Sequence, residues 1–284
     1  EILIGLVGSE MCIRDSYDTV DGEKAYPLCK IPADPGCNEI QVYTLEGQES
    51  IGNIRYFKER YLEETPVFDA KIPSDEVIDI IIPIYNGLQY FDKLFAGIEK
   101  TKMKYRLILV DDQSPDPAVR EYLERYVAEH EGTVLLRNEK NMGFLPSVNR
   151  ALAIAEHHVA LVNTDVEVPE GWLERLMWPI FTKEKVASST PFTTCGTICS
   201  FPNFCEDNVI FEGMPLWQID DAFRQIRPQY ATMPTGIGFC MGMNLEAIRE
   251  VGLLDEENFD KGYGEENDWC QRAIQAGYTN VQVE

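Results

Sequence analysis

The stretch VIDIIIPIYNGLQYFDKLFAGIEKTKMKYRLILVDD, residues 77–112, carries the pattern on which the rest of the chain is read. It opens on a β-branched apolar run, 77–84, of the kind that forms a strand buried on both faces. Leu88, Phe91, Leu94, Phe95 and Ile98 then fall on one helical face, and YRLILV (105–110) reads as a second strand. Strand, helix, strand in this order means a parallel pair with a crossover helix.

The pattern continues outward. Pro117 opens a helix with Val119, Tyr122, Leu123, Tyr126 and Val127 inward, and TVLLR (133–137) is a third strand. A helix over 146–156 turns Val148, Ala151, Leu152 and Ala155 inward, and VALVN (159–163) is a fourth strand. The expected fold is therefore α/β, a mostly parallel sheet covered by helices on both faces.

Ligands of such sheets bind outside the carboxyl ends of the strands. The first strand ends at Pro83, followed by Tyr85 and Asn86; the second ends at Asp111, Asp112, Gln113 and Ser114; the third ends ahead of Asn141; the fourth ends at Asn163 and Asp165. An aromatic ring beside a carboxylate suits a nucleobase, and a carboxylate at a later strand end suits a divalent cation bridging a diphosphate. Strand-end aspartates also cap loops and helices, so each residue alone is ambiguous and the set is not.

Composition narrows the partners. A formal charge of −23, from 48 acidic and 25 basic residues, speaks against nucleic acid and against electrostatic attraction to anionic lipid. Eight cysteines show no Cys-x-x-Cys pair and read as reduced thiols; Cys195, Cys199 and Cys205 do not match a zinc pattern. No apolar run is long enough to span a bilayer, and the first residues lack a signal peptide's basic region. A phosphate-binding loop is absent, and GIGFCMG (236–242) does not follow the first strand as a dinucleotide fingerprint must.

In IIIPIYNGL, LILVDDQSPD, NEKNMGFLPSVNRAL, ALVNTDVEVPEGWLERL and GYGEENDWCQRAIQAGY the chain resembles family 2 glycosyltransferases with the GT-A fold, over residues 76–284. The resemblance implies that Tyr85 and Asp112 hold the nucleobase, with further nucleotide contacts from Pro83, Asn86, Asn141, Gly143 and Asn163. It implies Mg²⁺ or Mn²⁺ on Asp165, the last residue of an Asp-x-Asp-like stretch. Asn163 at the first position departs from that pattern and is similar to rhamnosyltransferase-like members. On the acceptor side it implies a base at Glu266, with Glu265 and Asp268 as its near alternatives, and a donor and acceptor pocket lined by Gly236, Gly238 and Trp269. Phe192–Phe204 and Trp217 are expected to shape the acceptor site. The partners implied are a nucleotide-sugar donor and a glycan or glycolipid acceptor. The reaction implied is inverting transfer in bacterial surface polysaccharide or glycoconjugate assembly, in the cytoplasm or at the inner membrane face.

Two other readings compete. A nucleotidyltransferase would need a glycine-rich, basic loop where PIYNGLQYFDK has one glycine and no early cation. A binding module without turnover would not need acids at Asp112, Asp165 and Glu266.

Four segments are expected. Residues 1–16 resemble translated adapter sequence, lack an initiator Met and are set apart as a non-native start matching no folded element. Residues 17–74 form an extension with turns over 27–37 and a short helix over 54–65. Residues 75–170 form the nucleotide-sugar-binding half and 171–284 the acceptor and catalytic half. Many members of the resembled family carry a histidine metal ligand beyond the last helix; His130, His157 and His158 all precede Asp165, so the sequence is expected to stop short of that ligand.

Overall fold

The structure is a computed structural model that describes residues 75–194, 198–201, 203, 205, 208, 214–224, 230–259 and 264–283, with six strands within residues 2–55. The chain divides into two compact units: 1–67 with 194–210 and 225–227, and 68–193 with 211–224 and 228–284.

In the first unit, β1 (Ile2–Leu6), β2 (Cys12–Ile13), β5 (Glu39–Thr44) and β6 (Ser50–Arg55) form an antiparallel sheet in the order β2-β1-β5-β6; β3 (Tyr17–Asp18) pairs with β4 (Lys24–Ala25). The expectation that residues 1–16 match no folded element thus does not hold for ILIGL, a short apolar run able to pair as a strand. Ile54 and Arg55 lie in β6, not in a helix; residues 56–65 and the turns of 27–37 lie outside the described residues.

The second unit is built on one eight-stranded sheet. Its strands are β7 (Val77–Ile84), β8 (Lys104–Asp111), β9 (Val134–Arg137), β10 (His158–Val162), β11 (Val186–Pro191), β12 (Tyr230–Met233), β13 (Cys240–Met243) and β14 (Thr279–Val283), in the order β12-β14-β11-β13-β10-β7-β8-β9. β10, β7, β8 and β9 run parallel, as the sequence pattern requires. β13 enters antiparallel between β10 and β11, and strands from both sides of residue 170 share the sheet.

Alternation along the strands makes two cores. Ile78, Ile80, Ile82 and Ile84 face one side with Leu107 and Leu109; Ile81 faces the other with Ile108 and Val110. The first side is covered by α1 (Leu88–Glu99), α2 (Pro117–Glu129) and α4 (Trp172–Thr182), the second by α3 (Phe144–Leu152), α6 (Leu245–Val251) and α7 (Glu265–Gln275). A fifth helix in chain order, α5 (Leu216–Arg224), follows β11. The inward positions read from sequence in α1 and α2 are buried or packed against the core, Phe91, Leu94, Phe95, Ile98, Val119 and Leu123 fully so. α3 ends at Leu152, earlier than the expected 156. No helix among the described residues is long and apolar enough to cross a membrane.

One charged group lies inside this apolar frame. Asp79 in β7 is fully buried, and Arg106 of β8 binds it through both Nε and Nη2 at 2.8 Å. The N–H groups of Glu156 and His157 donate to the same carboxylate, so its burial is compensated.

At the opposite edge of β10 the Leu245 N–H, at the start of α6, donates to His158 Nδ1 at 3.0 Å, which places the ring proton on Nε2. Burial pushes His158 below the ordinary imidazole value, with Glu76 and Glu246 opposing. A lowered folded value means that the neutral ring's contribution is whole above the unfolded value of about 6.5 and is lost as pH falls from there through the folded value. His158→Asn keeps a side-chain acceptor near the same place and does not titrate. Thermal melts between about pH 7.5 and about pH 5 should show a steeper loss for the wild type than for His158→Asn; parallel slopes would disprove the role given to this ring.

Candidate active site

The carboxyl ends of β7, β8, β9 and β10 and the segments that flank β13 and α7 assemble one rim. Tyr85 follows β7 and is 52% exposed, an aromatic face open for stacking. Asn86 is held in the left-handed region, φ 59°, next to Gly87, φ 82°. Its N–H donates to Ser114 Oγ at 3.0 Å and its side-chain oxygen accepts from the Asp116 N–H. Gln113, φ 56°, is strained in the same way at the end of β8. Pro83 lies within β7, half-buried.

Asp112 is taken up largely by the protein itself. Only 4% exposed, it accepts from Asn138 Nδ2 and the Met142 N–H through Oδ1, both at 2.7 Å, and from the Gly143 N–H through Oδ2 at 2.8 Å. Gly143, φ 91°, also donates to Asn141 Oδ1. The carboxylate therefore anchors the loop that carries Asn141 and Gly143, and a nucleobase contact has only the second lone pair of Oδ2 to use. Sequence reading missed Asn138 and Ser147, which complete this buried cluster; Asn138 stands one residue past β9, where a strand-end amide was a visible signal.

The Asn163–Thr164–Asp165 turn follows β10. The Asn163 N–H donates to Phe239 O at 2.8 Å, which ties this turn to the segment ahead of β13. Asp165 is exposed. Among the described residues no group of three or more His, Cys, Asp or Glu is placed to hold a metal ion. A single exposed carboxylate fits a Mg²⁺-type cation that draws its other oxygens from a diphosphate and water.

The three acids at the start of α7 have separate environments. Glu266 is half-buried and its Oε1 accepts the Gly238 N–H at 3.0 Å. Glu265 is 2% exposed with Oε2 unpartnered; burial pushes its carboxyl up, and Glu266 adds to the rise. Asp268 is taken by Arg272, whose Nε donates to it at 2.8 Å while the rest of the guanidinium holds Val251 O and Leu253 O. Asp268 is thus engaged in support and is corrected out of the list of candidate bases. Trp269 is also corrected: it is fully buried, its Nε1–H donates to Gly252 O at 2.9 Å, and it belongs to the core beneath the helix and not to the pocket.

Gly236 and Gly238 lie in a tightly packed segment. A Cβ at Gly238 would run into the Glu266 carboxylate, and one at Gly236 would stand 2.7 Å from Met241 Cε. Phe192 packs against Phe223 with ring centroids 6.0 Å apart, and Trp217 is 69% exposed. Residues 195–197, 202 and 204 of the expected acceptor segment lie outside the described residues.

The parallel strand ends and the start of α7 are linked through two neighbouring residues, Gly238, whose N–H donates to Glu266, and Phe239, whose carbonyl accepts from Asn163. The model of the family described as Glycosyl transferase family 2 matches residues 79–252, and the chain belongs to that family. It is similar to N-acetylgalactosaminyltransferase 7 of Drosophila melanogaster, 26% identical over 239 residues, which are 76% of this chain and 40% of that protein. A probable N-acetylgalactosaminyltransferase 7 of Caenorhabditis elegans is 24% identical over 169 residues, 53% of this chain and 28% of that one. The chain therefore spans less than half the length of these curated relatives. Among solved structures, GalNAc-T7 with UDP, GalNAc and Mn²⁺ superposes with a TM-score of 0.58 at 18% identity, over 73% of this chain and 42% of that one. The mannosyltransferase PcManGT from Pyrobaculum calidifontis, in complex with GDP-Man and Mn²⁺, does so with 0.51 at 16%, over 78% and 59%. At these identities the likeness shows the GT-A fold.

Asp112→Asn would turn an amide N–H₂ toward donors that now share a carboxylate. Leaving a buried donor unpaired costs about 1–3 kcal/mol, and urea unfolding should show a loss of that size. A variant as stable as the wild type would mean that the loop does not depend on Asp112.

Proposed function

We propose that the chain moves a sugar from a nucleotide-sugar donor to an acceptor hydroxyl with inversion at the anomeric carbon, with Glu266 as the base and Asp165 as the metal ligand. The observation that carries this reading is the bond from the Gly238 N–H to Glu266 Oε1. It fixes one carboxylate oxygen against the donor-side segment and leaves Oε2 to take a proton. Phe239, the next residue, is tied to Asn163, so base and metal turn are joined through two adjacent peptides.

In the proposed step Glu266 accepts the hydroxyl proton, the acceptor oxygen bonds to the anomeric carbon, and the bond to the diphosphate breaks with its electron pair leaving on phosphate oxygen. Asp165 would hold a Mg²⁺ or Mn²⁺ ion, which supplies positive charge against the leaving diphosphate. Tyr85 stacks on the nucleobase, while Asp112 and Gly143 shape its seat. Glu265, buried and with a raised carboxyl, orients the acceptor.

The relatives make UDP-N-acetylhexosamines the first donors to test, beside dTDP and GDP sugars. The acceptor is a glycan or glycolipid, and the setting is bacterial surface polysaccharide or glycoconjugate assembly at the cytoplasmic side. The resemblance in sequence supports that setting, as do the free thiols of Cys199, Cys205, Cys240 and Cys270.

Glu266→Gln should lower turnover about a hundredfold to ten-thousandfold with donor affinity nearly unchanged. Steady-state kinetics of UDP release from UDP-GalNAc and UDP-GlcNAc test this; near-normal turnover would remove Glu266 as the base. Asp165→Ala should abolish the Mn²⁺-dependent part of UDP binding in calorimetry and leave the melting temperature in place. Equal UDP affinity for variant and wild type in Mn²⁺ would move the metal elsewhere.

A further inference from the structure

Three successive backbone N–H groups ahead of β13 each donate to a side chain. Gly236 donates to Cys270 Sγ at 3.1 Å, Ile237 to Thr190 Oγ1 at 3.2 Å and Gly238 to Glu266 Oε1 at 3.0 Å. Glu266 and Cys270 stand four residues apart on α7 and so share one face of that helix. One helix stripe therefore grips both ends of the turn, and Thr190 on β11 holds its middle. The turn has little room to shift toward its neighbours: a Cβ at Gly236 would meet Met241 and, at 3.1 Å, Ser188 Oγ.

Cys270 is itself held from behind. It is fully buried, and burial pushes its thiol above the ordinary value, so the sulfur carries its proton at neutral pH. Ser188 O–H donates to Asn280 Oδ1 at 2.8 Å, because that oxygen can only accept. The remaining lone pairs of Ser188 Oγ then face the Cys270 sulfur at 3.8 Å, and the Thr235 side chain bonds to the same sulfur. Asn280 Nδ2 returns to Cys270 O at 3.4 Å and closes the ring. A thiol is a weak acceptor, so the grip on Gly236 owes its stiffness to this ring more than to the single bond.

We propose that Cys270 is a positioning residue for Glu266: by holding Gly236 it fixes where the Gly238 N–H stands, and that N–H fixes the rotamer of the base. The proposal rests on the reading of Glu266 as base. A base displaced from the acceptor hydroxyl slows the transfer while the sugar nucleotide still binds, so the loss falls on kcat and not on KM.

The test compares Cys270→Ala, Cys270→Ser and Glu266→Gln in the full chain. Glutamate is labelled with ¹³C at its carboxyl, and the signal missing in Glu266→Gln assigns that of Glu266. At one fixed neutral pH the Glu266 signal should move from its wild-type position in Cys270→Ala; in Cys270→Ser, whose hydroxyl still accepts from Gly236 and donates to Ser188, it should return toward it. With UDP-GalNAc or UDP-GlcNAc and Mn²⁺, Cys270→Ala should lower kcat on the order of tenfold to a hundredfold. KM for the sugar nucleotide should stay within about twofold, and kcat should recover in Cys270→Ser.

An unchanged Glu266 carboxyl signal in Cys270→Ala overturns the proposal whatever the melting temperature does. So do alanine and serine variants that are equally impaired. If Glu266→Gln is inactive while Cys270→Ala turns over normally, only the positioning role fails; if Glu266→Gln turns over normally, the base assignment fails and the proposal with it. Should Cys270→Ala not fold, Ser188→Ala removes a polar partner of Cys270 that also packs beside Gly236. The same change in the Glu266 carboxyl signal is expected there, and its absence is equally decisive.

Discussion

Ile80, Ile81 and Ile82 at the centre of β7 are sealed on both faces of the sheet, and this constraint governs where the molecule can place its chemistry. A strand covered by helices on each side offers no face to a ligand, so polar function is driven to its ends. At one end the buried Asp79 is neutralised by a bidentate arginine and two amides. At the other, Tyr85, Asn86 and the Asp111–Ser114 stretch emerge together because β7 and β8 run parallel and in register.

The rim so formed is held by polar groups that are themselves supported. Asp112 secures the Asn138–Gly143 loop, Arg272 fixes the chain ahead of α7, and Gly238 meets Glu266. Each is a buried or half-buried group with its partners in place, which stiffens a site built mostly from loops. Glu265 differs, since one of its oxygens lies buried with no partner. A carboxyl oxygen buried without a partner beside Glu266 is a costly arrangement, and such groups are commonly kept where function uses them.

Much of this was legible in the residues. Apolar runs gave β7, β8 and β10, and the three-and-four spacing gave the inward faces of α1 and α2, because local periodicity is set by burial. Trp269 shows the limit of motif proximity: it adjoins the acids in sequence, yet its helical phase with Cys270 and Ala273 turns it into the core. The pairing of Asp268 with Arg272 could have been read from their i,i+4 spacing. By contrast, the contacts of Gly236 with Cys270 and of Ile237 with Thr190 join residues 34 and 47 positions apart. No local pattern encodes them, since they depend on β13 entering the sheet antiparallel beside β11.

The order of strands also sets a timetable. β7, β8, β9 and β10 are consecutive in the chain and adjacent in the sheet, so the four can pair with one another once residue 162 has been made, and only the β13 side of β10 stays open. β11 has neither of its neighbours until β13 and β14 arrive, the latter about 90 residues later, and β12 too waits for β14. A chain emerging from the ribosome therefore holds a paired parallel half beside a β11 that has α4 against it, through Ser189 and Leu176, but no neighbouring strand. During synthesis the exposure to proteases and to mispairing falls on the β11 side of the sheet, and it ends only when β14 is inserted.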